Sequence, residues 1–162
     1  ATIRRQRQMC IRDRDGGFVN DSPVELLDIF PTVCTLAGIP KPDDLDGISL
    51  VPILEKKSEY LRDFAISQYP RRCNVMRSVI GRYPDDCTLM GYAVRNEKYR
   101  YVAWISGDFE DRSDFNNDEI VMEELYDYEI DPLETKSYAS DASYQKVKEE
   151  MIKDLRSVIW EK

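Results

Sequence analysis

Apolar and polar positions follow two rhythms along this chain, one of period three to four before residue 70 and one of period two after residue 87. Val24 to Leu27 is a short apolar, β-capable run, so a strand is expected there, in the interior of a sheet. Asp28 follows and offers a carboxylate to the free N–H groups of a helix whose first turn holds Pro31, where a missing N–H costs little. The spacing predicts a helix from about Ile29 to Ala37, with Phe30, Val33, Leu36 and Ala37 forming its core-facing side. Gly38 stands where a left-handed cap is wanted, and Pro40 prevents continuation. Asp46-Gly47 reads as a turn from which Ile48 to Leu54 returns to the core.

Phe64 to Ser67 is a short apolar run compatible with a second buried strand, closed by Pro70. Arg71 to Asp86 has no clean period and is expected to be a long exposed loop, a kind of segment that is usually functional or disordered. Leu89 to Arg95 and Tyr99 to Ile105 alternate strictly and predict an antiparallel hairpin across Asn96-Glu97-Lys98. Tyr99, Tyr101 and Ala103 fall on one face, and Arg100, Val102 and Trp104 on the other. Ser106 to Glu119 is a polar excursion, Glu123 to Tyr128 a third strand of this set, and Asp131-Pro132 a turn. Asp141 caps a final amphipathic helix, Ala142 to Trp160, with Tyr144, Val147, Met151, Leu155, Val158 and Ile159 at helical spacing. The elements divide the chain into 1–21, 22–70, an exposed loop at 71–86, and 87–162.

Composition sharpens this outline only in places. A chain of 162 residues with 42% hydrophobic and 33% charged residues suits one soluble domain or a piece of a larger protein. No apolar run approaches the ~20 residues of a membrane span. The net charge is −8, yet residues 1–14 hold five arginines against Asp13, so the body is more acidic still. An acidic body argues against nucleic acid as a partner. The basic start fits a nucleic-acid arm or a targeting segment less well than a solvated, disordered end, or non-native sequence joined to a truncated gene.

Histidine is absent, which removes the commonest neutral-pH acid–base group. The acidic run from Asp108 to Asp118 lacks the ligand alternation, central glycine and closing glutamate of a calcium loop, and reads as solvated. Arg71, Arg72, Arg77 and Arg82 form the cationic patch of an acidic body. Guanidinium forks suit sulfate and carboxylate, although pairing with Asp85 and Asp86 is the commoner role for such residues. Arg95 and Trp104 are expected to serve sheet packing, with a buried or cross-strand ion pair.

Three motifs in register carry a resemblance. They are the run around Leu27-Asp28-Ile29 with Pro31-Thr32, then Leu36-Ala37-Gly38-Ile39, then Asp46-Gly47 with Ser49-Leu50, Pro52 and Leu54. Together they resemble the C-terminal part of the sulfatase family, in the alkaline-phosphatase-like superfamily. Ser67 to Arg71, Met90 to Trp104 and Glu124 to Thr135 are similar to its iduronate-2-sulfatase branch, and the resemblance covers roughly 22 to 160. It implies an α/β fold, α+β over this length: the last elements of the large sulfatase domain, then a small C-terminal subdomain of antiparallel sheet covered by a terminal helix. Asp28, Pro31, Thr32, Gly38, Gly47, Arg95 and Trp104 would be structural, and Tyr69, Arg71, Arg72 and Arg77 would border a substrate cleft.

The parent would cleave sulfate esters of uronate-bearing, glycosaminoglycan-like polysaccharides, using calcium and a formylglycine made within Cys/Ser-x-Pro/Ala-x-Arg. Neither Cys10 to Arg14 nor Cys73 to Arg77 meets that pattern, because Arg12 and Val75 stand where Pro or Ala is required. No catalytic, metal or cofactor residue is therefore expected in this chain, and its main partner would be the N-terminal catalytic part of the same protein. The alternative is a non-catalytic glycan-binding or protein-interaction module. Four cysteines allow three pairings, and the sequence does not choose. The export to an oxidising compartment that the resemblance implies would favour a Cys73–Cys87 disulfide, with Cys34 a buried core thiol.

Overall fold

The computed structural model describes residues 18–72, 88–106 and 120–159. The expectations for 1–17, for the loop holding Cys73, Arg77 and Cys87, for the Arg72 side chain and for the acidic run at 107–119 lie outside the described residues.

The elements run in the order α1 (Ile29–Ala37), α2 (Val51–Leu54), β1 (Ala65–Arg72), β2 (Thr88–Arg95), β3 (Tyr99–Ser106), β4 (Ile120–Asp127) and α3 (Gln145–Ile159). The strands form one antiparallel sheet in the order β1-β2-β3-β4. Registers of Tyr69 with Gly91, Gly91 with Trp104 and Trp104 with Met122 carry one row across it. Helix α3 covers one face, where Met151 and Leu155 close over Val94, Tyr101, Ala103, Ile105 and Leu125. Burying a large apolar side chain contributes roughly 1.5–3 kcal/mol, so this layer dominates the fold. The opposite, outer face holds a smaller cluster of Leu89, Val102 and Trp104. The alternation read in the hairpin therefore matches the two faces. Asp141 accepts from the Ser143 N–H at 2.9 Å, capping the turn that opens α3.

The first third departs from the sequence reading in four respects. No strand forms at Val24 to Leu27: Leu26–Asp28 is a single 3-10 turn, and Val24, Leu26 and Leu27 are exposed. Helix α1 does span Ile29–Ala37 and ends on Gly38 at φ 66°, the left-handed cap expected there. Its buried side, however, is Pro31, Thr32 and Cys34, while Phe30, Val33 and Leu36 face outward. Hydrogen bonds decide this orientation, because the Thr32 hydroxyl donates to the Asp28 carbonyl at 2.5 Å and accepts from the Leu50 N–H at 2.8 Å.

The Asp28 carboxylate does not cap α1. It is wholly buried and accepts instead from the N–H groups of Glu25 and Ile48, each at 2.8 Å, and from the Arg62 guanidinium. Finally, the run at Phe64 to Ser67 is no interior strand of another sheet. It opens β1, an edge strand that continues through Pro70, opposite Met90, to Arg72. An edge accepts proline because no ladder bond is lost when the missing N–H would face outward.

Candidate functional site

Two clusters are built by this fold, one buried and one on the outer face of the sheet. The buried cluster centres on Arg62, whose Nη1 lies 2.8 Å from Glu25 Oε1 and whose Nη2 meets Asp28 Oδ1. Glu25 Oε1 also accepts from the Ile66 N–H at 2.8 Å, tying the 3-10 turn to β1. Gly47 completes the cluster, since a Cβ there would stand 2.2 Å from the Leu27 carbonyl oxygen. What the structure shows at Gly47 is this close backbone approach. Three distant segments converge on two carboxylates and one guanidinium, an arrangement that holds shape and offers no open valence to a substrate.

The outer face carries a chain of aromatic and charged groups because period-two alternation puts Arg95, Arg100, Trp104, Glu124 and Tyr126 on one side. Trp104 Nε1 donates to Glu124 Oε1 at 2.8 Å, and the Tyr126 hydroxyl donates to Glu124 Oε2 at 2.6 Å. Arg100 sits 5.0 Å from the Tyr126 ring centroid and pairs with Glu134 at 2.7 Å. Arg95 lies 4.5 Å over the Tyr128 ring. Among the described residues the ion pair on this face is thus Arg100–Glu134 and not the one expected of Arg95, whose guanidinium stacks on a ring. At the far end, Arg71 stands over Trp104 at 5.4 Å and Tyr69 is 67% exposed. Arg72, Thr88, Ser106 and Ile120 end or begin their strands at that same end of the sheet.

Burial, and then the bond to Glu124, pushes the Tyr126 hydroxyl up to about 12 from an ordinary 10.0. Burial and Glu123 push Tyr101 up as well. The folded state thus holds these protons more tightly than the unfolded chain does. Their contribution to stability is complete below the unfolded value and is lost as pH rises through the folded one. An alkaline titration followed by tyrosinate absorbance and circular dichroism should show late ionisation coupled to loss of the sheet, with the step near pH 12 reduced by Tyr126→Phe and the remainder carried by Tyr144, which its bond to Asp127 raises to about 12 as well. Ionisation of every tyrosine near pH 10 with the sheet intact would contradict this assignment.

Two hollows beside the sheet are poor candidates for an anionic ligand. A groove of about 780 Å³ is lined by Glu25, Asp46 and Asp63 against Arg62, with Phe64 and Ile66 as its floor. Another of about 500 Å³ sets Asp21 and Glu97 against Arg95. Both carry more carboxylates than cations and would repel sulfate. The Tyr69–Arg71 end, with a guanidinium held on an indole and an exposed phenol beside it, is the better binding surface. Among the described residues no three His, Cys, Asp or Glu side chains are grouped to hold a metal ion. Cys34 is buried, as expected. Among the described residues the arrangement can bind and orient an anion but does not group carboxylates for calcium. Arg62 and Glu25 were not legible as a pair, because 37 residues separate them and neither belongs to a recognisable motif.

A four-stranded antiparallel meander under one terminal helix is the architecture of the small C-terminal subdomain of sulfatases. A solved structure described as a 2-O GAG sulfatase aligns over 82% of this chain with a TM-score of 0.59 and 29% identity. The chain belongs to the family described as N-sulphoglucosamine sulphohydrolase, C-terminal, whose model matches residues 13–161. That match takes in residues 13–21, which the sequence reading set apart. A Delta 4,5-hexuronate-2-O-sulfatase of Bacteroides thetaiotaomicron is 31% identical over 122 residues, 75% of this chain. The Iduronate 2-sulfatase of Mus musculus is 28% identical over 153 residues, 80% of this chain. The chain spans 20% and 27% of the lengths of these two relatives and 24% of the solved structure.

Proposed function

We propose that this chain is the C-terminal portion of a sulfatase resembling iduronate-2-sulfatase, whose full-length form hydrolyses 2-O-sulfate esters on uronate residues of glycosaminoglycan-like polysaccharides. The observation that carries the reading is the 31% identity to a hexuronate-2-O-sulfatase across three quarters of the chain. In this reading the upstream portion supplies formylglycine and calcium, and the enzyme acts after export from the cytoplasm. The present chain supplies the structural sheet and one wall of the cleft at Tyr69, Arg71, Arg72 and Arg77. A guanidinium seated on an indole is already desolvated and oriented, which favours bidentate recognition of a sulfate or carboxylate.

The test begins with the open reading frame upstream of residue 1, which should carry a Cys-x-Pro-Ser-x-Arg motif. The 162-residue chain alone should release no sulfate from a 2-O-sulfated uronate disaccharide with calcium present, and the longer product should turn it over. In the longer product Arg71→Ala should raise KM about tenfold, the loss of one charge-assisted contact, with kcat little changed. Turnover by the short chain after rigorous purification would reject this reading, and so would a longer product inert toward every sulfated uronate.

A further inference from the structure

The indole of Trp104 is held on three sides, more firmly than sheet packing requires. Its N–H donates to Glu124 Oε1 at 2.8 Å, and the Arg71 guanidinium stands 5.4 Å from its ring centroid. The third support is Gly91, its register partner on β2. A Cβ at Gly91 would stand 2.8 Å from Trp104 Cζ3 and 3.0 Å from both Cε3 and Cη2, so the ring rests on bare backbone. Glu124 is held in turn, because its Oε2 accepts from the Tyr126 hydroxyl at 2.6 Å. With Trp104 only 7% exposed, these contacts fix one ring position.

We infer that Gly91, Trp104 and Glu124 are positioning residues for Arg71, serving as floor, ring and clamp that aim its guanidinium fork at an oxyanion of the substrate. The inference rests on the cleft reading above and adds what sets the direction of the fork. A ring under the flat face of a guanidinium orients the edge that carries its N–H donors. An anionic acceptor on the indole N–H also makes the ring face more negative, which strengthens its hold on the cation. The oxyanion is a sulfate or a uronate carboxylate, since the same fork fits both.

The experiment measures KM and kcat of the longer product on the 2-O-sulfated uronate disaccharide with calcium present. Gly91→Ala and Glu124→Ala are each made with Arg71 kept and together with Arg71→Ala. With Arg71 kept, each should raise KM about fivefold and leave kcat little changed, the effect of a fork that has lost its seat. Glu124→Gln retains an acceptor for the indole N–H and should restore most of the affinity. In the Arg71→Ala background neither variant should raise KM further, because both act through Arg71. Glu124 is only half-buried, so its variants give the answer even where Gly91→Ala fails to fold. Leu155→Ala, which opens a cavity on the other face of the sheet, should lower the melting point and leave KM unchanged. The carboxyl-reduced disaccharide then assigns the oxyanion: an effect that vanishes there identifies the carboxylate, one that persists the sulfate, and each supports the inference. An unchanged KM in Glu124→Ala while Arg71→Ala raises it would overturn the inference and leave the cleft reading intact. So would an equal rise with and without Arg71, or a matching rise in Leu155→Ala. If Arg71→Ala itself left KM unchanged, the cleft reading would fall and this inference with it.

Discussion

Replacing Arg62 by leucine should remove about 3–5 kcal/mol of folding stability, the cost of leaving a buried charge without its partner. Asp28 has no exposure, so water cannot take over the role of the guanidinium there, whereas Glu25 borders the groove and is 17% exposed at its side chain. Two backbone N–H donors would remain on Asp28, which keeps its hydrogen bonding partly satisfied. They carry partial charges, however, and do not neutralise it. The loss would be a large fraction of the ~5–15 kcal/mol that holds a typical domain together. Urea denaturation followed by tryptophan fluorescence measures it. Arg62→Lys should fall between the two, because an ammonium keeps the charge but cannot span Glu25 and Asp28 as a fork. A loss below about 1 kcal/mol in Arg62→Leu would mean the pair behaves as a surface salt bridge and that Asp28 finds water.

Gly47→Ala should cost about 3 kcal/mol, from overpacking together with a broken buried hydrogen bond. The new Cβ would meet the Leu27 carbonyl oxygen at 2.2 Å, its carbon at 2.6 Å and the Asp28 nitrogen at 3.2 Å. These are backbone atoms of a segment fixed by Arg62, so the 46–48 loop must retreat and draw the Ile48 N–H away from Asp28. Gly38 provides the contrast. Its backbone is left-handed, but a Cβ there would meet nothing within 4 Å, and Gly38→Ala should lose only about 1 kcal/mol to backbone strain. Thermal melts of the two variants side by side test the difference. Equal melting points would show that the loop near Leu27 yields easily.

Features read correctly from the sequence are those whose cause is local. The end of α1 followed from Gly38, and the hairpin faces from alternation over Tyr99 to Ile105. The errors arose where a distant group decides. Val24 to Leu27 has the composition of a strand, but Ile48 and Arg62, 20 and 34 residues from Asp28, fix its carboxylate and hold the segment as a turn. The apolar side of α1 was taken for the core side because periodicity reports a stripe and not what covers it. Thr32, read only as part of a motif, sets the orientation through Leu50, 18 residues away. The run at Phe64 was recognisable as a strand, yet its partner β2 lies beyond a long connection and could not be chosen from sequence. At the candidate cleft, Tyr69 and Arg71 were named from a motif, but the seat of Arg71 on Trp104 depends on strand registers that only the fold supplies.

The strict order of the meander has a consequence for how the chain comes into being. Each strand pairs with the next in sequence, and the shortest connection joins β2 to β3. Closing a short loop costs less entropy than closing a long one, so the β2–β3 hairpin should zip first and recruit its neighbours outward. The helix that shields Val94, Tyr101 and Leu125 follows all four strands in the sequence. During synthesis the sheet therefore leaves the ribosome with its most apolar face bare, at ~5–20 residues per second, until α3 emerges to shut it. Chaperone capture in that interval, rather than the final stability, should govern how much of the protein survives its own translation.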